Sequence, residues 1–310
     1  MKIAFLITAY VDPSQLARVI YALKTPEHDF YIHIDAKVDA KEFVEKVYKK
    51  NGRENIWFVS EDERVRVYWG GYSQIQSQLS LMKMVVESEK KYERIVNMTG
   101  TDYPLWSNKR IENYFIENKQ TQFIMGYNFE RATNPIRKYK VERYWFFDWR
   151  KYPGFRHIES PVRHVANLFS SQKRNKMKET GYKFYYGSEY WALTQDCLEY
   201  VYEKYTKDIK LQRLMKTSFV PSEIYVQTIL YNSKYVNDLF GEPEYNVDRV
   251  SRLAPLHYFL YEERIQEFDE KDLPMLEFFD KMFFRKARTG ISDKLMNIID
   301  NRRKQEDEVL

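Results

Sequence analysis

Asn97-Met98-Thr99-Gly100-Thr101-Asp102-Tyr103-Pro104-Leu105-Trp106 is the stretch on which the reading of the fold turns. It follows Arg94-Ile95-Val96, a short apolar run that reads as the end of a buried strand. Gly100 admits backbone angles that other residues resist, and Pro104 ends regular structure. Asp102 therefore falls in a tight polar turn beyond a strand end, where open α/β sheets bind their ligands. Taken alone, the same residues also describe a plain turn whose Asp and Thr bond their own backbone.

Strand–helix alternation surrounds this stretch. Ile3–Thr8 is a continuous apolar run, the mark of a buried parallel strand. Asp12 then caps a helix with Pro13 at its first position, and Leu16, Val19, Ile20 and Leu23 form one apolar stripe. Phe30–Ile34 is a second strand, ending in Asp35. Phe43, Val44 and Val47 mark another helix, and Ile56–Val59 a third strand. Ser73 is placed to cap a long helix with the stripe Ile75, Leu79, Met82 and Val86. Up to about residue 125 this is a nucleotide-binding α/β half. Residues 127–186 carry Arg, Lys, Tyr and Trp with weak periodicity, as loops and short helices around a site would. Gly187–Thr194 reads as a strand, followed by a helix capped by Asp196. Ser222 is expected to cap a further helix with Glu223 in its first turn. Residues 245–310 are mixed, with a basic cluster at Arg285-Lys286-Ala287-Arg288 and a charged tail from Lys294.

Composition excludes several classes. A net charge of +5 is too small to argue for a nucleic-acid binder but suits an anionic ligand or an anionic membrane face. The 26 tyrosines fit either a sugar-binding surface or a Tyr-rich core and rim. A single Cys197 rules out an internal disulfide and points to a reducing compartment. The apolar run at the start is short for a signal peptide, and no stretch is long enough to span a membrane. A cytoplasmic protein is expected, with peripheral contact at the inner face of the plasma membrane left open. The five histidines have no metal-ligand spacing. Neither a Walker loop, a G-x-G-x-x-G, a G-x-S-x-G elbow nor a metal-holding D-x-D occurs.

Seven blocks, in order, carry a resemblance: I-A-F-L-I-T-A-Y at 3–10, H-I-D-A-K at 33–37, W-G-G-Y-S at 69–73, T-G-T-D-Y-P-L at 99–105, G-S-E-Y-W-A-L-T at 187–194, P-S-E-I-Y-V-Q-T at 221–228 and F-F-R-K-A at 283–287. The chain resembles the core-2/I-branching β-1,6-N-acetylglucosaminyltransferases, the family that includes peptide O-xylosyltransferases (glycosyltransferase family 14), and looks like a bacterial member. The resemblance implies one GT-A-type domain over 1–310, with a mixed central sheet flanked by helices. It would comprise a nucleotide-binding half (1–125), an acceptor and catalytic half (126–293) and a charged tail (294–310).

It also implies an inverting, metal-independent transfer of a sugar, GlcNAc first, from a UDP-sugar to a glycan hydroxyl, without cofactor. UDP-xylose or another UDP-sugar is the alternative donor. A non-catalytic glycan- or nucleotide-binding module of the same fold is the alternative function. Without a metal, fixed Lys and Arg must meet the growing charge of the leaving diphosphate.

On that resemblance Glu223 is the catalytic base. Lys286 binds the diphosphate, with Ala287 standing where the family usually has Phe, and Arg285 shares the load. A second family Arg falls near Arg264, with a register open by one residue. Asp35 contacts the uridine. Thr8, with Ile7 and Ala9, lines the base through backbone groups, and Tyr68 lies near the nucleotide. Asp102 lines the donor cleft and orients the sugar or a neighbouring cation. Lys140, Arg143 and Tyr144 resemble a basic patch before the acceptor cleft. Glu189, Tyr190 and Trp191 touch the acceptor, with Trp191 equally suited to the core. The acceptor is expected to be a polysaccharide or a lipid-linked glycan. The C-terminal residues Phe283, Phe284, Arg285, Lys286, Arg288, Arg302, Arg303 and Lys304 could attract an anionic bilayer, simply cap the domain or mediate dimer contacts.

Overall fold

A computed structural model of the chain describes residues 1–131, 137–241, 250–261 and 264–310. Parts of two segments discussed above, 132–136 in the first and 245–249 and 262–263 in the second, lie outside the described residues. The chain opens with strand β1 (Ile3–Ala9), helix α1 (Pro13–Leu23), β2 (His28–Ile34), α2 (Lys41–Asn51) and β3 (Ile56–Phe58). Helix α3 (Ser73–Glu87) leads into β4 (Arg94–Thr99), β5 (Asp102–Pro104) and α4 (Asn108–Glu117). Next come β6 (Gly126–Asn128), α5 (Tyr139–Glu142), α6 (Phe155–Asn167), α7 (Ser170–Glu179), β7 (Tyr185–Gly187) and β8 (Ala192–Leu193). Helices α8 (Gln195–Lys207), α9 (Ile209–Met215) and α10 (Tyr225–Tyr231) precede β9 (His257–Tyr258), α11 (Leu273–Phe279), β10 (Phe283–Arg285) and α12 (Asp293–Val309).

The central sheet runs β3-β2-β1-β4-β8. Its first four strands are parallel, and β8 is antiparallel to β4. This is the mixed sheet flanked by helices that the resemblance implied. Period-two alternation divides β1 between two cores. Ala4 and Leu6 face α3, α8 and α10, whereas Ile3, Phe5 and Ile7 face α1, α4 and α12. Asp12 accepts from the Gln15 amide at 3.0 Å, so the expected cap forms, contributing about 1 kcal/mol. Leu16, Val19, Ile20 and Leu23 are fully buried, each contributing roughly 1.5–3 kcal/mol.

Several local expectations are corrected. Ser73 does not cap α3; it is the helix's first residue, and its hydroxyl binds Asp148 at 2.5 Å. The expected stripe of α3 holds at Ile75 and Met82, which are fully buried, while Leu79 and Val86 are only partly buried and the buried face widens to take in Gln78, Leu81 and Val85. The helix capped by Asp196 starts instead at Gln195, with Asp196 in its first turn. Gly187–Thr194 is not one strand: β7 and β8 are separated by Ser188–Trp191. Ser222 caps no helix; Pro221–Glu223 is a single 3-10 turn entered through Val220 at φ 44.

The stretch around Asp102 is also more than a turn. Only Gly100 and Thr101 turn, after which β5 joins a second sheet of order β5-β10-β9. Asp102 pairs with Arg285 and Pro104 with Phe283. An edge strand tolerates Pro because one side of its ladder is unpaired. Gly100 is required for space: a Cβ there would lie 2.9 Å from that of Ala9.

The C-terminal tail is part of the fold. Phe283 and Phe284 are buried, as are Leu295, Met296 and Ile299 of α12. Arg303 donates to the Trp106 and Ala22 carbonyls and to Asn108, and Arg302 pairs with Glu277. Of the expected roles of the tail, these contacts are those of a domain cap: Phe283, Phe284 and Arg303 face inward, while Arg302 is half exposed. Among the described residues, no helix is long and apolar enough to cross a membrane.

Candidate active site

A cleft of about 360 Å³ opens at the carboxyl ends of β1, β2 and β4. Thr8 and Ala9 from β1, His33 and Asp35 from β2, and Thr99 from β4 form its floor. Glu189 and Tyr190, from the break between β7 and β8, and Glu223 line one side. Arg285 and Lys286, at the end of β10, line it too. The fold thus brings together Glu223, Asp35, Thr8, Glu189, Tyr190, Arg285 and Lys286, which are far apart in sequence.

Asp35 accepts from the Lys37 amide at 2.8 Å and the Val67 amide at 3.3 Å, and pairs with the Lys37 ammonium at 3.3 Å. Those bonds fix the carboxylate at the strand end and fasten the 65–67 segment beside it. His33 accepts from the Val65 amide at 2.9 Å. Burial holds its pKa down to about 4, so the ring is neutral at pH 7 and has a lone pair for that bond.

Glu223 lies 4.0 Å from the Lys140 ammonium, and each side chain is only 20% exposed. Burial raises the Glu223 pKa above that of an ordinary glutamate, against the opposing pull of Lys140 and the Tyr186 hydroxyl. A carboxylate made more basic is a better acceptor for a hydroxyl proton. Lys140 sits over the rings of Tyr186 and Phe219, at 4.5 and 4.7 Å, and burial lowers its own pKa. Glu189 is pushed up to about 7, first by burial and then by the charge of Glu223. Gln78 donates to Glu189 at 3.2 Å and accepts from the Tyr225 hydroxyl at 2.9 Å. This bridge accounts for the polar residue on the buried face of α3.

Arg285 is held from three sides. Its guanidinium lies 4.8 Å from the Tyr190 ring, donates to the Thr99 hydroxyl at 3.3 Å and lies 3.5 Å from Asp102. Asp102 is itself 0% exposed and is absent from the cleft lining, which corrects the expectation that it lines the donor site; of the expected partners it is the neighbouring cation, Arg285, that it lies against. The pairing of β5 with β10 turns it beneath Arg285, with His257 at 3.3 Å. Burial opposes its charge, yet Arg285, His257 and the Thr99 amide hold its carboxyl below the usual aspartate value. Lys286 loses basicity to burial and to the neighbouring Arg285 charge. Two cations kept close together form a site for a ligand of high negative charge.

Other candidates fall elsewhere. Trp191 is wholly buried in the core beside α3 and α8, correcting its acceptor role. Arg143 is exposed and stacks on Tyr139 at 3.5 Å. Helix α5 ends at Glu142 and Arg143 turns extended, so Arg143 leaves the face that carries Lys140. Tyr68 is half-buried under Lys37, while its neighbours Val67 and Trp69 reach the cleft. Arg264 is exposed and off the lining; the bridge between Tyr261 and Ile265 brings those two residues to the cleft instead. Gln78, His257 and the close pairing of Lys140 with Glu223 had no sequence signal beyond residue type.

Partly buried carboxylates and two cations therefore share one cleft at the carboxyl ends of the parallel strands of an α/β fold. The chain belongs to the Core-2/I-branching enzyme family, whose model matches residues 3–242. Arg285 and Lys286 lie beyond that match. Similar curated proteins include xylosyltransferase 2 of Rattus norvegicus, 26% identical over 226 residues, or 71% of this chain and 23% of the relative. A human protein described as a probable β-1,3-galactosyl-O-glycosyl-glycoprotein β-1,6-N-acetylglucosaminyltransferase 7 is 26% identical over 36% of this chain and 26% of its own. The chain thus spans about a quarter of the length of these curated relatives. Among solved structures it is similar to apo mouse xyloside xylosyltransferase 1, with a TM-score of 0.38 and 11% identity over 77% of this chain and 83% of that one.

Proposed function

We propose that the chain transfers a sugar from a UDP-sugar to a hydroxyl of a glycan acceptor, with inversion and without a metal. The observation that carries this reading is the placement of Glu223 and the Arg285–Lys286 pair on one cleft, with Glu223 made more basic by burial. Glu223 accepts the acceptor's hydroxyl proton as that oxygen forms a bond to the anomeric carbon. The bond from that carbon to the diphosphate oxygen breaks, and its electron pair leaves with UDP. Arg285 and Lys286 meet the charge that builds there, while Asp35 and the Thr8 backbone hold the nucleoside. Attack opposite the leaving group turns an α-linked donor into a β-linked product.

UDP-GlcNAc is the first donor to test, following the sequence resemblance. UDP-xylose is the second, favoured by the xylosyltransferase 2 match over 71% of the chain. A transfer screen with both donors and a panel of glycans, with EDTA or added Mn²⁺, tests donor and metal use together. Transfer that requires Mn²⁺ would overturn the metal-free mechanism. Glu223→Gln is expected to lose transfer by about a hundredfold or more while UDP still binds. Near-normal turnover in that variant would remove Glu223 as base.

A further inference from the structure

Helix α6 carries more apolar surface than it buries. Phe155 packs inward, and Arg150 holds the buried Glu159 at 2.8 Å. Ile158, Val165 and Leu168 repeat at helical spacing on another side and are 53, 57 and 70% exposed. Phe169 extends the row at 53%, and Trp149 and Tyr152, in the turn before the helix, are also exposed. Single exposed apolar residues are ordinary, but six large ones between 149 and 169 form a feature to be explained.

Charge separates the possible occupants. Residues 149–178 contain eight Lys or Arg and one Glu, a net +7, more than the +5 of the whole chain. Lys173 is buried against the Arg143 and Thr217 carbonyls, and Arg163 lies over Trp145. Lys151, Arg156, Arg174, Lys176 and Lys178 are exposed, and among the described residues no carboxylate pairs with them. An exposed apolar row, in a segment that also carries exposed Trp, Tyr and cations without carboxylate partners, matches one surface in both respects: hydrocarbon beneath anionic headgroups.

We propose that this face docks on an anionic lipid bilayer, with α6 lying in the plane of the interface. The face is fastened to one lip of the cleft. Asp148 accepts from the Tyr72 and Ser73 amides at 2.6 and 3.2 Å, and Phe147 packs edge-on to Trp69 of the cleft lining. The attraction depends on no step of sugar transfer, so its test needs no activity.

Flotation of the full chain is measured with phosphatidylcholine vesicles, with and without about a third phosphatidylglycerol. Binding is expected only with the anionic lipid, weakening as salt rises. Ile158→Glu with Val165→Glu should weaken it by at least about tenfold, as should Lys151→Glu with Arg174→Glu. These positions are exposed, so circular dichroism and melting should match the parent chain. Lys304→Glu, on α12, should leave binding unchanged. Absence of binding to anionic vesicles, or equal binding by the Ile158/Val165 variant, overturns the proposal. So does a dimer in sedimentation that this variant dissolves, which would make the face a contact between copies.

Discussion

Lys140→Met tests the assignment of the base most directly. The ammonium lies 4.0 Å from the Glu223 carboxylate. At that separation the attraction is about 1 kcal/mol with full water screening and about 4 kcal/mol at the effective dielectric common near protein surfaces. Both side chains are only 20% exposed, so an intermediate value applies. One pKa unit corresponds to about 1.4 kcal/mol, giving an expected rise of roughly one to three units on loss of the positive charge. The sign follows from the chemistry: Lys140 favours the charged carboxylate, and the base works only when charged. Methionine fills much the same space between the Tyr186 and Phe219 rings. The acid limb of kcat/KM against pH should move upward by that amount, with activity recovering in alkali. An unmoved limb, with UDP affinity and melting temperature unchanged, would refute the coupling or show that another group is the base.

Three further outcomes are expected. Glu189 has a pKa of about 7 and is partly protonated at neutrality; Glu189→Gln mimics that neutral form and should keep transfer while removing any titration near pH 7. Loss of activity at every pH would show that its charge is needed. Asp102→Asn should lower stability by about 3–5 kcal/mol by leaving Arg285 without its buried partner, read by thermal or urea unfolding. The folded pKa of Asp102 is depressed, so its contribution is present above about pH 4 and fades as pH falls through the folded value. The variant's stability should therefore fall less steeply in acid. Gly100→Ala should cost about 1–3 kcal/mol by driving a methyl group against Ala9, with UDP affinity measured alongside.

Local pattern made the first half of the chain legible. The apolar runs of β1 and β2, the Asp12 cap and the α1 stripe follow from neighbouring residues alone. The gathering of Glu223, Asp35, Lys286 and Glu189 on one cleft agrees with what the family resemblance implied. The roles of Asp102 and Arg285 were harder, because β5 and β10 pair across most of the chain and neither strand exceeds three residues. No periodicity signals such a pairing. Gln78 was missed because a glutamine on a helix resembles a solvent-facing residue unless its partners, Glu189 and Tyr225, are already placed. Arg143 was misplaced by a backbone change of one residue at the end of α5.

The pairing of β5 with β10 also bears on the order in which the protein assembles. Arg285 reaches Thr99 from 186 positions along the chain. Contacts this distant form slowly, because the intervening chain must first be confined. During synthesis the parallel strands β1 to β4 emerge early and can associate. The residues that balance the buried charge of Asp102 emerge near the end. Asp102 must therefore stay hydrated, and the wall of the cleft that Arg285 and Lys286 form stay open, until β10 arrives.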